Sequence, residues 1–135
     1  MNKISNMPRK LGEFINTELH NAELYRALSK SAPNNRDKEI LEEFSDDCQD
    51  NAGEFMRIYK RMTGYKFDPR PVPVTETGSY RSVLRSRIRD ETRLSKKYRR
   101  EYMITSDNLA LKRAFFNAYH NSLEHAVGII DLLNS

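Results

Sequence analysis

Apolar residues recur along this chain in alternating steps of three and four, the spacing that lays one stripe along an α-helix. Four such stripes can be traced. The first reads Leu11, Ile15, Glu18, Ala22, Tyr25, and the second Leu41, Phe44, Cys48, Asn51, Phe55, Ile58, Met62. The third reads Leu84, Ile88, Glu91, Ser95, Tyr98, Tyr102, and the fourth Leu111, Phe115, Ala118, Ser122, His125, Ile129, Leu132. Glycine and proline are scarce and concentrated, so they mark where helices stop. The pattern predicts helices over about 8–31, 37–63, 79–104 and 107–133. The first gives way to the turn "SAPNNRD", and the second closes at Gly64, where glycine can take the left-handed conformation of a helix C-cap. In "TSDN", Ser106 or Asp107 offers an N-cap to the fourth.

The segment between the second and third helices, "YKFDPRPVPVTETG" over 65–78, holds three prolines and favours an extended path. A helix of about 26 residues is roughly 40 Å long. An extended stretch of about 14 residues reaches roughly 46 Å. The segment can therefore return along the whole bundle, which makes the second and third helices parallel while each hairpin stays antiparallel. The expected fold is all-α: two antiparallel hairpins joined by a long crossover loop, rather than simple up-down-up-down.

Every stripe turns polar at mid-length, and the polar positions repeat. Glu18 and Tyr25 return as Glu91 and Tyr98 at an offset of 73 residues, while Cys48 and Asn51 return as Ser122 and His125 at an offset of 74. Residues three apart share a helix face. The four helices should thus bring Glu18, Cys48, Asn51, Glu91, Ser122 and His125 together near the middle of the bundle. Two glutamates in a dry interior cannot both stay ionised without a cation. His125 as imidazolium, or a shared proton, is the expected replacement if no metal is held.

Over nearly its whole length the chain resembles the ferritin-like superfamily, and more narrowly the rubrerythrin-type domains. The phrases "ELHNAELYRALSKSAP", "IYKRMTG" and "FFNAYHNSLEHA" are similar to a bacterial branch whose second helix usually carries Asp-Glu-x-x-His. In that family one Glu on each of the first and third helices, and Glu-x-x-His on each of the second and fourth, hold a di-iron or di-manganese centre. The resemblance implies a ferritin-like four-helix bundle in which Glu18 and Glu91 occupy the single-carboxylate positions and His125 the fourth-helix histidine position. Cys48 stands where the second-helix Glu would be, Asn51 where its His would be, and Ser122 where the fourth-helix Glu would be. The two missing glutamates are those expected to bridge the metals, so the implied site is degenerate. The implied function is a non-catalytic structural or interaction protein, working as a homodimer. The alternative is a metal-binding protein or oxidoreductase that keeps a single divalent ion, iron, manganese or zinc, on Glu18, Glu91 and His125. Cys48 as a thiolate would favour zinc.

Composition narrows the remaining classes. A chain of 135 residues can bury one substantial core, which predicts a single domain over 1–135. No apolar run approaches the roughly 18 to 20 residues of a membrane span, and "MNKISNMPRKLGEF" has no apolar segment of a secretory signal. A cytoplasmic protein is expected. One cysteine excludes an intrachain disulfide and a Cys-x-x-Cys metal knuckle. The net charge of +4 comes mostly from 81–100. That basic stretch is expected to be a solvated helix face, since no motif for nucleic acid accompanies it. His20 and His120 fall off the inward stripes and are expected at the surface. Asp47 would face inward only if its helix rotated by one residue, and the register through Phe44, Phe55 and Ile58 argues against that rotation. Tyr25, Tyr98 and Tyr102 are expected to bring their hydroxyls to the carboxylates.

Overall fold

A computed structural model of the chain describes residues 6–70, 72–75 and 78–135. Its elements are four helices: α1 (Met7–Lys30), α2 (Asn35–Thr63), α3 (Tyr80–Ile104) and α4 (Leu109–Leu133). Three of them start on a side-chain cap. The oxygens of Asn34, Ser79 and Asn108 accept from the backbone N–H groups of Asp37, Ser82 and Leu111 at 2.8, 3.1 and 3.0 Å. Each satisfies a donor that the first helical turn leaves orphaned. The cap of α4 is therefore Asn108, rather than Ser106 or Asp107, and α2 begins two residues before Asp37. Gly64 ends α2 at φ 78°, with its N–H on the Lys60 carbonyl.

Cross-helix contacts set the directions. Between α1 and α2, Glu18 meets Asn51 and Ala22 meets Ser45. Between α1 and α3, Lys10 meets Glu101 and Tyr25 meets Arg87. Between α2 and α4, Arg36 meets Asp131, Asp47 meets His125 and Glu54 meets Asn117. Between α3 and α4, Glu91 meets His125, while Thr105 beyond the end of α3 meets Lys112. Numbers rise along one helix as they fall along its neighbour in every pair, so all four contacts are antiparallel. It follows that α2 and α3 run parallel.

The chain between them travels back along α1. Phe67 lies against Gly12, the Arg70 N–H donates to Asn16 Oδ1 at 3.0 Å, and the Val72 carbonyl sits 3.0 Å from His20 Nδ1. Pro71, Glu76 and Thr77 of the expected crossover fall outside the described residues. Val74 packs further along, against the cluster that holds Leu24 and Leu28.

The interior is divided along its length. Leu11, Ile15, Phe55, Ile58, Tyr98, Leu111 and Phe115 form one apolar cluster. Leu24, Leu28, Leu41, Phe44, Leu84, Ile129 and Leu132 form another. Each buried Leu, Ile or Phe contributes about 1.5–3 kcal/mol of transfer free energy, so the two clusters supply the main drive for assembly. Between them lies a layer of buried polar groups: Glu18, Asn51, Glu91, Ser95, Ser122 and His125. Among the described residues no helix is long and apolar enough to cross a membrane.

Candidate functional site

The polar layer is built from one or two residues of each helix. Glu18, Cys48, Asn51, Glu91, Ser122 and His125 are all buried, as the stripes require. Glu18 accepts from the Tyr98 hydroxyl at 2.5 Å and from Asn51 Nδ2 at 3.4 Å. Burial is the main cause that pushes its carboxyl up to about 7, against the Tyr98 hydrogen bond, with the nearby Glu91 charge raising it further. Near neutral pH Glu18 is therefore held between its neutral and charged forms.

Glu91 has two cationic partners. Its Oε2 lies 2.7 Å from His125 Nδ1, and its Oε1 accepts from Arg87 Nη2 at 3.4 Å. The other ring nitrogen of His125 lies 2.9 Å from Asp47 Oδ2. Burial alone would lower the His125 pKa, but hydrogen bonds to Asp47 and Glu91 outweigh it and raise it to about 9. With a carboxylate on each ring nitrogen, the ring is an imidazolium donating twice. Its faces are covered as well: the Phe44 ring centroid lies 4.4 Å away and that of Tyr25 5.5 Å.

Arg87 is the residue that periodicity missed. It sits in the basic stretch expected to face solvent, yet it is 5% exposed. Its guanidinium bonds Tyr25 OH, Asp90 and Glu91 at 3.4, 3.2 and 3.4 Å. Burial acts to lower its pKa, but the Tyr25 oxygen and the Glu91 carboxylate more than offset that and raise it. The inward stripe of α3 can step from Leu84 to Glu91 through either Ile88 or Arg87, since 3+4 and 4+3 are equally good helical steps. Apolarity favours Ile88, which is only partly buried. The signal for Arg87 was the pair of buried carboxylates, which needs a cation on the same face. A cleft of about 250 Å³ between α1 and α3 is lined by Thr17, Asn21, Arg87 and Arg93.

Asp47 corrects a second expectation. The register is as predicted, with Cys48 and Asn51 inward, but Asp47 reaches His125 without any rotation of α2 because its side chain lies at the edge of the layer, 41% exposed. Its counterpart at the 74-residue offset is Asn121, whose Nδ2 donates to Asn51 Oδ1 at 2.9 Å. Each flanking residue thus holds an inward residue on the facing helix: Asp47 holds His125, and Asn121 holds Asn51, and these two are themselves 74 residues apart. The two halves share this outer contact as well as the inner one.

The remaining positions are as quiet as their chemistry suggests. Burial, and then the Glu18 and Glu91 charges, push the Cys48 thiol well above its usual range, so it stays protonated. Burial does the same to Tyr25 and Tyr98. Of the tyrosines expected at the carboxylates, Tyr98 reaches Glu18, but the Tyr25 hydroxyl accepts from Arg87 instead, and Tyr102 sits at the margin of the apolar cluster with Lys112 over its ring at 4.6 Å. His120 is a surface residue paired with Glu124. His20 is partly buried under the crossover.

A divalent ion would have to compete with this network. Both nitrogens of His125, both oxygens of Glu91 and both oxygens of Glu18 already face a partner. Among the described residues, no group of three or more His, Cys, Asp and Glu side chains is arranged to hold a metal ion. As arranged, the donors do not fit a metal centre. What the layer offers is charge balance, with Arg87 and His125 set against Glu91 and Asp47, and Glu18 able to take up or release a proton. Comparison with family models, curated proteins and solved structures returns no significant match to this chain.

Proposed function

We propose that the chain is a ferritin-like bundle of the rubrerythrin type in which side-chain cations stand in for metal ions. It serves as a non-catalytic structural or interaction protein and works as a homodimer. One observation carries this reading: the chain of charges Arg87, Glu91 and His125, all three buried, with Asp47 closing it at the edge of the layer. A bridging metal in such a bundle neutralises inward carboxylates, and here a guanidinium and an imidazolium supply that charge instead. Antiparallel neighbours, a crossover along α1 and a polar layer at mid-length support the ferritin-like assignment.

Elemental analysis of protein purified without chelator tests it. The expected content is well below one iron, manganese or zinc per chain, and about two irons per chain with oxidase turnover would overturn the reading. A second reading rests on Glu18, Glu91 and His125 being buried in one layer: a single divalent ion binds these three, which requires Arg87, Tyr98 and Asp47 to give up their bonds to the donor atoms. It requires stoichiometric metal in the wild type that is lost in both Glu91→Ala and His125→Ala.

A further inference from the structure

Helix α4 is apolar on two opposite faces, and only one of them is used inside the bundle. Leu111, Phe115, Ala118, Ile129 and Leu132 point into the core. Opposite them a second series runs Leu109, Arg113, Phe116, His120, Leu123, Val127, Ile130, Asn134, in strict steps of four and three. One of the two seam positions of a two-helix coiled coil is thus apolar in every heptad, as Leu109, Phe116, Leu123 and Ile130, while the other carries Arg113, His120, Val127 and Asn134. The apolar members of the series lie in water: Leu109 is 71% exposed, Val127 67%, Phe116 and Ile130 45%, and Leu123 37%.

We infer that this outer face of α4 is a homodimer interface, in which α4 of one copy packs antiparallel on α4 of a second, with His120 on the two-fold axis. The apolar members expose roughly 500 Å² of side chain, at the upper end of what a monomer leaves as a single patch. A standard interface takes about 800 Å² from each partner, so the stripe and its polar margins supply what a stable dimer needs. The sequence of the stripe decides the orientation. Around His120 an isologous contact sets Leu109 beside Ile130, Phe116 beside Leu123 and the aliphatic stem of Arg113 beside Val127 of the other copy. Antiparallel packing brings Arg113 of one copy to the Glu124 end of the other, whereas parallel packing would set Arg113 against Arg113. Phe116 is already fixed for the role: the rings of Tyr102, Tyr119 and His120 surround it at 5.6, 6.4 and 6.3 Å. A pre-ordered aromatic near the centre of a patch is where binding energy concentrates.

This deepens the interaction reading by naming its surface, and it is independent of what the bundle interior binds. Sedimentation equilibrium at tens of micromolar should give twice the 15.8 kDa chain mass, and Leu123→Glu should give the single-chain mass with unchanged helical circular dichroism. Oxidising His120→Cys should link the dimer through a disulfide at the axis. Leu109→Cys should not cross-link, because antiparallel packing holds the two copies of that position about 30 Å apart. A monomeric wild type, a dimer that survives Leu123→Glu, or efficient cross-linking at position 109 would overturn the proposal. Any of these leaves the metal content, and the reading of the polar layer, untouched.

Discussion

Arg87 takes its charge into the bundle on a nearly buried guanidinium, and Glu91 depends on it. Breaking a buried ion pair from one side leaves the other charge without compensation, which costs about 3–5 kcal/mol. Arg87→Met should therefore lower stability by about 3 kcal/mol in urea unfolding, with a smaller loss for Arg87→Lys, which keeps the charge but cannot fork to Tyr25, Asp90 and Glu91. Adding Glu91→Gln to Arg87→Met should restore only part of the loss, because the Arg87–Glu91 pair is then removed from both sides but His125 keeps Asp47 as its one carboxylate. A single mutant within about 0.5 kcal/mol of wild type would show that Glu91 is held by His125 alone. At this scale the sequence was legible where a residue's class matched its stripe. Glu18, Glu91 and His125 stand out as charges on apolar faces, and all three are buried. Arg87 was hidden because it belongs to a run of basic residues, most of which do face solvent. Asp47 was hidden for a different reason: periodicity reports where a side chain starts, and a residue at the edge of a stripe can still reach inward.

Among the helices, two glycines separate intrinsic propensity from packing. Gly53 in α2 has room, since an added Cβ would meet only Arg57 Nη1 at 3.5 Å. Gly128 in α4 does not, since a Cβ there would come within 2.5 Å of Phe44 Cζ. The Phe44 ring cannot swing away freely, being packed against Tyr25 at 5.5 Å and His125 at 4.4 Å. Alanine is better than glycine in a helix by about 1 kcal/mol, and overpacking costs about 1–3 kcal/mol. Gly53→Ala should raise the melting temperature by a few degrees, and Gly128→Ala should lower it. Equal shifts of the same sign would mean that Phe44 is not confined. Helix number, order and direction were legible because apolar steps, prolines and loop length each constrain them independently. The start of α4 was less so: Ser106, Asp107 and Asn108 are all good caps, and only the position of the first helical N–H groups selects Asn108.

For the whole molecule, two buried groups make stability a function of pH, and both act in the same direction. Glu18 is raised from 4.5 to about 7, so between those values the folded chain holds a proton that the unfolded chain releases. That contribution is complete below pH 4.5 and is lost as pH rises through about 7. His125 is raised from 6.5 to about 9, so its contribution is complete below pH 6.5 and is lost as pH rises through about 9. Each is worth on the order of 3 kcal/mol, a large share of what a domain this size has to spare. The bundle should thus be most stable near pH 5 and weaken steadily toward pH 9. Glu18→Gln should flatten the slope between pH 5 and 7 while leaving the alkaline part in place, and His125→Gln should do the reverse. Urea midpoints measured at fixed ionic strength across this range would show it, and a profile that is flat or climbs with pH would mean that the two protons are not held by the fold. A bound divalent ion would reverse the trend, because it binds the deprotonated ligands and gains affinity as pH rises. The sign of the slope therefore reports which cation, proton or metal, the polar layer uses.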